Sequence, residues 1–257
     1  MRLATWNVNG LRARLDFIAL WLEARQPDVV GLQELKTPTD EFPHDFFAER
    51  GYHALVHGQK SWNGVAILSR TPSEIVTAGL PGEADWGARL ITAKIDNDVE
   101  FTTVYCPNGK SVSHDDYPKK LAWYDSLTAH YGASSHSRRI LCGDFNIVPQ
   151  PLDSWRGAGG DGDVFHTVEE RQRFDTLMRL GLVDLYRHQY PDENAFSWWD
   201  YRGGSFHRNH GLRIDFVLGT PATADALQGV TIDRDFRKKQ DGLTASDHAP
   251  VFADLSF

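Results

Sequence analysis

The chain alternates between runs whose apolar residues recur at strand spacing and runs where they recur at helix spacing. RLATWNV (2–8) reads as a strand, and GLRARLDFIALWLEAR (10–25) sets Leu11, Leu15, Ile18 and Leu22 near helical spacing. DVVGLQEL (28–35) is a buried strand, and HDFFAERG (44–51) predicts a short helix closed by Gly51. The middle changes character: YHALVHG, GVAILSR, RLITAKID and VEFTTVYCP follow one another with only turns between them, which predicts a run of antiparallel strands. A helix is expected over 115–131, then a core strand in RRILCGDFN, then a second helical segment, VEERQRFDTLMRLGL (168–182), with Phe174, Leu177 and Met178 on one face. FSWWDYR, GLRIDFVLG, VTIDRDF and APVFADLSF return the chain to strands. Strands at both ends with helices in each half predict a mixed α/β (α+β) fold of two sheets packed face to face with helices outside. No stretch is rich enough in linker residues to divide the chain, so 1–257 is read as one domain. The glycine-rich RGAGGDGD (156–163) is the loop expected to move, as a plain surface connection or as a grip on substrate.

Composition narrows the function. With 257 residues, 41% hydrophobic and 24% charged, there is ample material for a core. The net charge of −8 excludes a protein that holds nucleic acid by bulk positive charge. A phosphate-bearing partner must therefore meet a local basic patch, or a metal ion must offset the acids. Cys106 and Cys142 sit in apolar runs outside any CxxC pair, which points to buried thiols in a reducing compartment and away from zinc. MRLATWNVNG has no long apolar run or cleavage signature, and no segment approaches ~20 apolar residues. The expectation is a cytoplasmic protein without a membrane partner.

The candidate chemistry lies where strands end. LATWNVN carries Asn7 and Asn9 on one face, VVGLQE ends at Glu34, and TTVYCPN ends with Tyr105, with Asn108 beyond Pro107. ILCGDFN ends with Asp144 and Asn146, GLRIDF carries Asp215 between apolar residues, and TASDHAPV places Asp247 and His248 just before the last strand. Any single Asn or Asp here is explained by turn chemistry, and Asn9 or Asn108 alone reads that way. Repetition at successive strand ends is what points to function. Asp215 needs a partner because an unpaired buried carboxylate is costly. That partner is either backbone or Arg, a structural role, or one ring nitrogen of His248, which would orient the ring.

Neither GxSxG nor GxxxxGK[ST] occurs. Oxygen-rich ligands with one oriented His and one Tyr suit Mg²⁺, with Mn²⁺ as a substitute, and phosphodiester hydrolysis by an activated water. Glu34 is then the principal metal ligand, with Asp247 and Asn7 in a second or shared site. Asp144 orients or deprotonates the water, and Asn146 donates to a phosphate oxygen. His248 stabilises developing charge or holds the phosphate, and Tyr105 places the phosphate or eases departure of the leaving oxygen.

TWNVNGLRAR, LQELK, GDFNIVP, FSWWDYR, GLRIDF and SDHAPV, in this order from residue 5 to residue 251, together resemble the exodeoxyribonuclease III family of abasic-site endonucleases. The resemblance implies a four-layer α/β/β/α sandwich related to deoxyribonuclease I, acting as a monomer. It also implies cleavage of duplex DNA 5′ to abasic sites, with degradation of recessed 3′ ends and removal of blocked ones. It carries metal binding onto Asn7, Glu34, Asp144, Asn146, Asp247 and His248, and catalytic roles onto Tyr105, Asp144, Asn146, Asp215 and His248. By the same resemblance Trp198, Leu212 and Ile214 line a pocket for an extrahelical abasic sugar, which a small apolar cavity admits and an intact nucleotide does not fit. Two positions depart from many relatives: Thr244-Ala245 stand where a basic residue or Pro is common, and Asn9 stands where some have Asp.

Around FSWWDYRGGSFHRNHGLRIDF, Phe196, Trp198, Trp199, Tyr201 and Phe206 interleave with Arg202, Arg208 and Arg213. Aromatics among cations suit a nucleic-acid groove, although burial is the ordinary fate of about half of such residues. Arg89 is a further phosphate contact, with Arg12 and Arg14 as another basic cluster. The competing readings are an enzyme of similar fold acting on inositol phosphates or sphingomyelin, an exonuclease without abasic-site activity, and a non-catalytic DNA-binding protein.

Overall fold

A computed structural model describes residues 1–257, with side chains at 1–96 and 98–257. The strands are β1 (Arg2–Asn7), β2 (Val29–Gln33), β3 (His53–His57), β4 (Val65–Ser69), β5 (Glu74–Ala78), β6 (Leu90–Ile95), β7 (Val99–Tyr105), β8 (Arg139–Asp144), β9 (Val183–Asp184), β10 (Asp215–Gly219), β11 (Leu227–Ile232) and β12 (Val251–Leu255). They form two six-stranded sheets in the orders β11-β12-β1-β2-β4-β3 and β5-β6-β7-β8-β10-β9. Each sheet holds one parallel pair, β1 with β2 and β7 with β8, flanked by antiparallel partners.

The helices are α1 (Leu15–Arg25), α2 (His44–Ala48), α3 (Asp116–Gly132), α4 (Val168–Met178), α5 (Leu185–Gln189) and α6 (Pro221–Ala224). Ala4, Trp6, Val30, Leu32, Ala66 and Leu68 of the first sheet pack on Phe17, Ile18, Trp21 and Leu22 of α1. Leu90, Val104, Leu141, Phe216 and Leu218 of the second sheet pack on Trp123, Tyr124 and Leu127 of α3 and on Phe174 and Leu177 of α4. Between the sheets lies a third apolar layer, with Leu3, Val29, Val65 and Ile67 against Ile91, Phe101, Ile140, Cys142 and Val217. The result is the expected α/β/β/α arrangement.

The inward rows carry a gradient. Leu3-Thr5-Asn7, Val29-Gly31-Gln33, Phe101-Thr103-Tyr105 and Ile140-Cys142-Asp144 are apolar at one end and polar at the other. Midway, the amide of Gln33 donates to Thr5 Oγ1 at 2.9 Å and to Thr103 Oγ1 at 2.7 Å, joining the sheets where the gradient turns polar. Gly31 permits this close approach, because a Cβ there would lie 2.5 Å from the Thr103 hydroxyl oxygen.

Some expectations change. FSWWDYR is no strand: Trp198 makes only isolated bridges to Leu212 and His248, so this segment is loop stapled across two others. The strand in GLRIDFVLG starts at Asp215, and β11 stops at Ile232, before a 3₁₀ turn over Arg234–Arg237. The glycine-rich segment contains a 3₁₀ turn, Gly157–Gly160, bridged by an Arg156–Asp163 ion pair at 2.5 Å. Both cysteines are buried and free, and burial pushes the Cys142 thiol up to about 12. Among the described residues no helix is long and apolar enough to cross a membrane.

Because the inter-sheet contact at Gly31 has no room for a methyl group, Gly31→Ala is expected to cost about 1–3 kcal/mol. Urea unfolding followed by tryptophan fluorescence measures this, and an unchanged midpoint would mean that the sheets can part locally.

Candidate active site

The polar ends of the inward rows meet at one rim. Register puts Tyr105 beside Asp144 on β7 and β8, and Asp144 beside Asp215 on β8 and β10. Three consecutive strand ends thus present an OH and two carboxyl groups in a row. From the facing sheet, Asn7 ends β1 opposite Gln33, and Glu34 follows directly. His248 arrives from the loop before β12. Gly143 makes the row possible, because a Cβ there would sit 1.9 Å from the Val104 carbonyl oxygen.

Asn7 bridges the sheets. Its side-chain amide donates to Glu34 Oε1 at 2.8 Å and to Asp144 Oδ2 at 2.9 Å, while its Oδ1 accepts the Asn9 N–H at 2.9 Å. Glu34 also pairs with Lys36 at 2.9 Å. Glu34, Asp144 and His248 each offer a ligand atom within 4.8 Å of the others. Two carboxylates this close suit a hard divalent cation, so the residues present fit one.

His248 is buried with Nδ1 2.9 Å from Asp215 Oδ2. Burial presses its pKa down, but Asp215, then Asp144 and Asp247, outweigh burial and raise it to about 10. Asp215 is itself held by Ser197, whose hydroxyl donates to Oδ2 at 2.6 Å. Of the two partners left open for Asp215, the structure selects the histidine. His248 Nε2 faces Asp144 Oδ2 at 3.8 Å. Burial, with the charges of Asp215 and Glu34, lifts the Asp144 carboxyl to about 7. Burial and the nearby Glu34 and Asp144 hold Tyr105 well above the usual phenol range, so it is a neutral donor. Asn146 has φ 50°, donates its own backbone N–H to Asp144 Oδ1 at 2.9 Å and its side-chain amide to the Cys106 carbonyl at 2.9 Å.

Asp247 stands apart from the close cluster. Its Oδ1 accepts from Asn9 at 2.9 Å and its Oδ2 from the Trp198 indole at 3.0 Å, so this carboxylate fixes a tryptophan and an asparagine. Trp198 packs with Leu212, Ile214, Val148 and Phe165. Trp198 and Leu212 open into a groove of about 490 Å³ whose far wall is Trp155 stacked on His210, with centroids 3.9 Å apart. Arg89 lies over the Tyr105 ring at 4.8 Å and donates to the Tyr105 and Trp86 carbonyls.

The arginines divide. Arg213 is buried between Asp153 and Asp184 at 2.7 Å each, a structural clamp and not a phosphate contact. Phe196 and Trp199 are core. Arg202 is exposed beside Asp200, Arg12 pairs with Glu41, and Arg14 reaches the Tyr201 hydroxyl at 3.1 Å. Lys36, Ser197 and the Trp155–His210 stack escaped sequence reading. Each of Lys36, Ser197 and His210 lies inside a motif, LQELK or FSWWDYRGGSFHRNHGLRIDF, but nothing local marks its partner.

The family model for endonucleases, exonucleases and phosphatases matches residues 4–248. The chain belongs to this endonuclease/exonuclease/phosphatase family. Within the family it is 35% identical to exodeoxyribonuclease III of Haemophilus influenzae, over 99% of this chain and 100% of that protein. Its fold matches a 3′-5′ exonuclease from Neisseria meningitidis with a TM-score of 0.95 at 38% identity, and an AP endonuclease from Archaeoglobus fulgidus with 0.94 at 32%. Both matches cover 100% of each chain.

Asp215, 2.9 Å from His248 Nδ1, is the acid that raises the imidazole most. Asp215→Asn is expected to lower the pH at which His248 titrates by about 1–3 pH units. Proton NMR of the imidazole in chelator-treated protein reads this, and an unmoved titration would assign the effect to another acid.

Proposed function

We propose that this family member is a divalent-metal-dependent DNA phosphodiesterase that cuts duplex DNA 5′ to abasic sites and trims or cleans 3′ ends. The observation that carries the reading is the convergence of Asn7, Glu34, Tyr105, Asp144, Asp215 and His248 at one rim beside the apolar Trp198–Leu212–Ile214 wall. Full-length identity to exodeoxyribonuclease III supports it. Nearly equal structural likeness to an exonuclease and to an AP endonuclease leaves the balance of activities to the rim residues.

The roles follow from the chemistry of each group. Glu34, with Asp144, would hold Mg²⁺ or Mn²⁺, which would supply positive charge beside the scissile phosphate, and the Asn7 amide would orient both carboxylates. Asp144, whose carboxyl burial raises and whose Oδ2 lies 3.8 Å from His248 Nε2, orients a water and takes its proton. The water oxygen bonds to phosphorus as the P–O3′ bond breaks, and the departing O3′ takes a proton from solvent, leaving a 3′ hydroxyl and a 5′ phosphate. His248, kept cationic by Asp215, offsets charge gathering on the phosphoryl oxygens. Asn146 donates to one of those oxygens. The neutral Tyr105 donates a hydrogen bond toward the phosphate or the leaving oxygen, and Arg89 braces Tyr105 from behind. Trp198, Leu212 and Ile214 receive the abasic sugar, which leaves the helix cheaply because it has no stacking or pairing to lose.

End-labelled duplexes test this directly, one with a single abasic site and one with a plain recessed 3′ end, each with Mg²⁺ and with chelator. Cleavage that persists in chelator would remove the metal from the scheme. Asp144→Asn and His248→Asn are each expected to lower turnover by about 10²–10⁴-fold with the fold retained. Near-wild-type turnover in either would reject its role. Trp198→Ala should slow abasic-site cleavage about tenfold more than 3′-end trimming, the equivalent of roughly 1.4 kcal/mol of sugar contact. Equal losses on both duplexes would count against the pocket.

A further inference from the structure

Lys120 is fully buried on α3, where a lysine is costly unless its charge is matched. Its ammonium has three N–H donors, and each meets an acceptor. They go to Glu170 Oε1 at 2.5 Å, to the Asn146 carbonyl at 2.7 Å and to the Asn108 carbonyl at 3.2 Å. Glu170 is in turn fixed by the start of α4: its Oε2 accepts from the Thr167 N–H at 3.1 Å and from the Thr167 hydroxyl at 3.0 Å. The chain of contacts thus runs from the α4 cap, through a buried ion pair, to the loops that follow β7 and β8.

Both loops pass through left-handed backbone beside the clamped carbonyls. Asn146 has φ 50°, a conformation that asparagine adopts more readily than most residues with a side chain. Gly109, just after Asn108, has φ 85°, and a Cβ there would lie 3.0 Å from the Lys120 side chain. That glycine leaves space for the aliphatic stem of the lysine to pass. The Phe165 ring lies 4.8 Å from the ammonium, so the clamp also touches the segment that lines the Trp198 groove.

We propose that Lys120 is a positioning residue: its ammonium clamps the backbone carbonyls of Asn108 and Asn146 and thereby sets the Asn146 amide at the angle from which it meets the phosphate. The proposal rests on the reading of Asn146 as a phosphate donor. Lys120 touches no reacting atom and acts through the loops alone. Sub-ångström to 1 Å misplacement of a donor costs up to about 10²-fold in rate, and a loop released at two carbonyls moves on that scale.

A double-mutant cycle on a recessed-3′-end duplex with Mg²⁺ tests it, using Lys120→Met, Asn146→Ala and the pair, each checked by thermal unfolding and assayed well below its Tm. Lys120→Met is expected to lower kcat about 10- to 100-fold with KM within about threefold. In the Asn146→Ala background the same change should lower kcat by less than about twofold, because the group it positions is gone. Additive losses, or an unchanged kcat in Lys120→Met, would overturn the clamp while leaving Asn146 as phosphate donor intact. An unchanged kcat in Asn146→Ala would overturn that reading and the clamp with it. Should Lys120→Met fail to fold, Glu170→Gln enters the same cycle, since it removes the charge that anchors the ammonium and should show the same loss of additivity.

Discussion

Two buried carboxyl groups, Asp144 and Asp215, sit on adjacent strands with one imidazole between them, and the rest of the rim is arranged around that constraint. Carboxylates this close and this dry cannot both stay ionised without a cation. The protein meets the demand in two ways. Asp215 is held by hydrogen bonds to His248 and Ser197, while burial raises the Asp144 carboxyl. The same division separates the groups chemically, with an imidazole that the acids drive toward its cationic form on one side and a carboxyl raised by burial on the other. Asn7 then couples this pair to Glu34 across the two sheets.

The sheets can meet so closely because their shared core is not uniform. At one end it is apolar, with Leu3, Val29, Phe101 and Ile140. Toward the rim, Thr5, Gly31, Gln33 and Thr103 take over, and hydrogen bonds replace apolar contact. A purely apolar interface would leave the functional groups stranded against hydrocarbon. The graded interface lets burial hold the sheets together while the polar end stays satisfied. Behind the rim, the buried Lys120–Glu170 pair and the Arg213–Asp153–Asp184 clamp brace the loops that no strand supports.

Comparison with known proteins places the chain firmly in its family, yet the relatives of near-equal structural likeness differ in activity: one is an exonuclease and the other an AP endonuclease. The groove beyond Trp198, with Trp155 stacked on His210 and Phe165 in its wall, is built from loops, the part of a fold free to vary without loss of the core.

Much was legible in the order of residues alone. Two-residue periodicity places Asn7, Tyr105 and Asp144 on inward faces, and an apolar run that stops in a polar residue marks a strand end whatever surrounds it. The layer arrangement follows from the same periodicities, and so does the burial of both cysteines. Long-range partnership was not legible. FSWWDYR has the composition of a strand, but its backbone is taken up by Leu212, Asp247 and Ala249 in crossing loops. Arg213 reads as a surface cation beside aromatics, whereas it is buried between acids 60 and 29 residues away. Lys120 reads as one more charge on a helix, and nothing in the order of residues pairs Asp247 with Asn9 and Trp198. Periodicity is a local property of the chain, so the sequence by itself determined which face each residue takes. Which charge neutralises which is set by distances between segments far apart in the chain, and only the tertiary structure decides those.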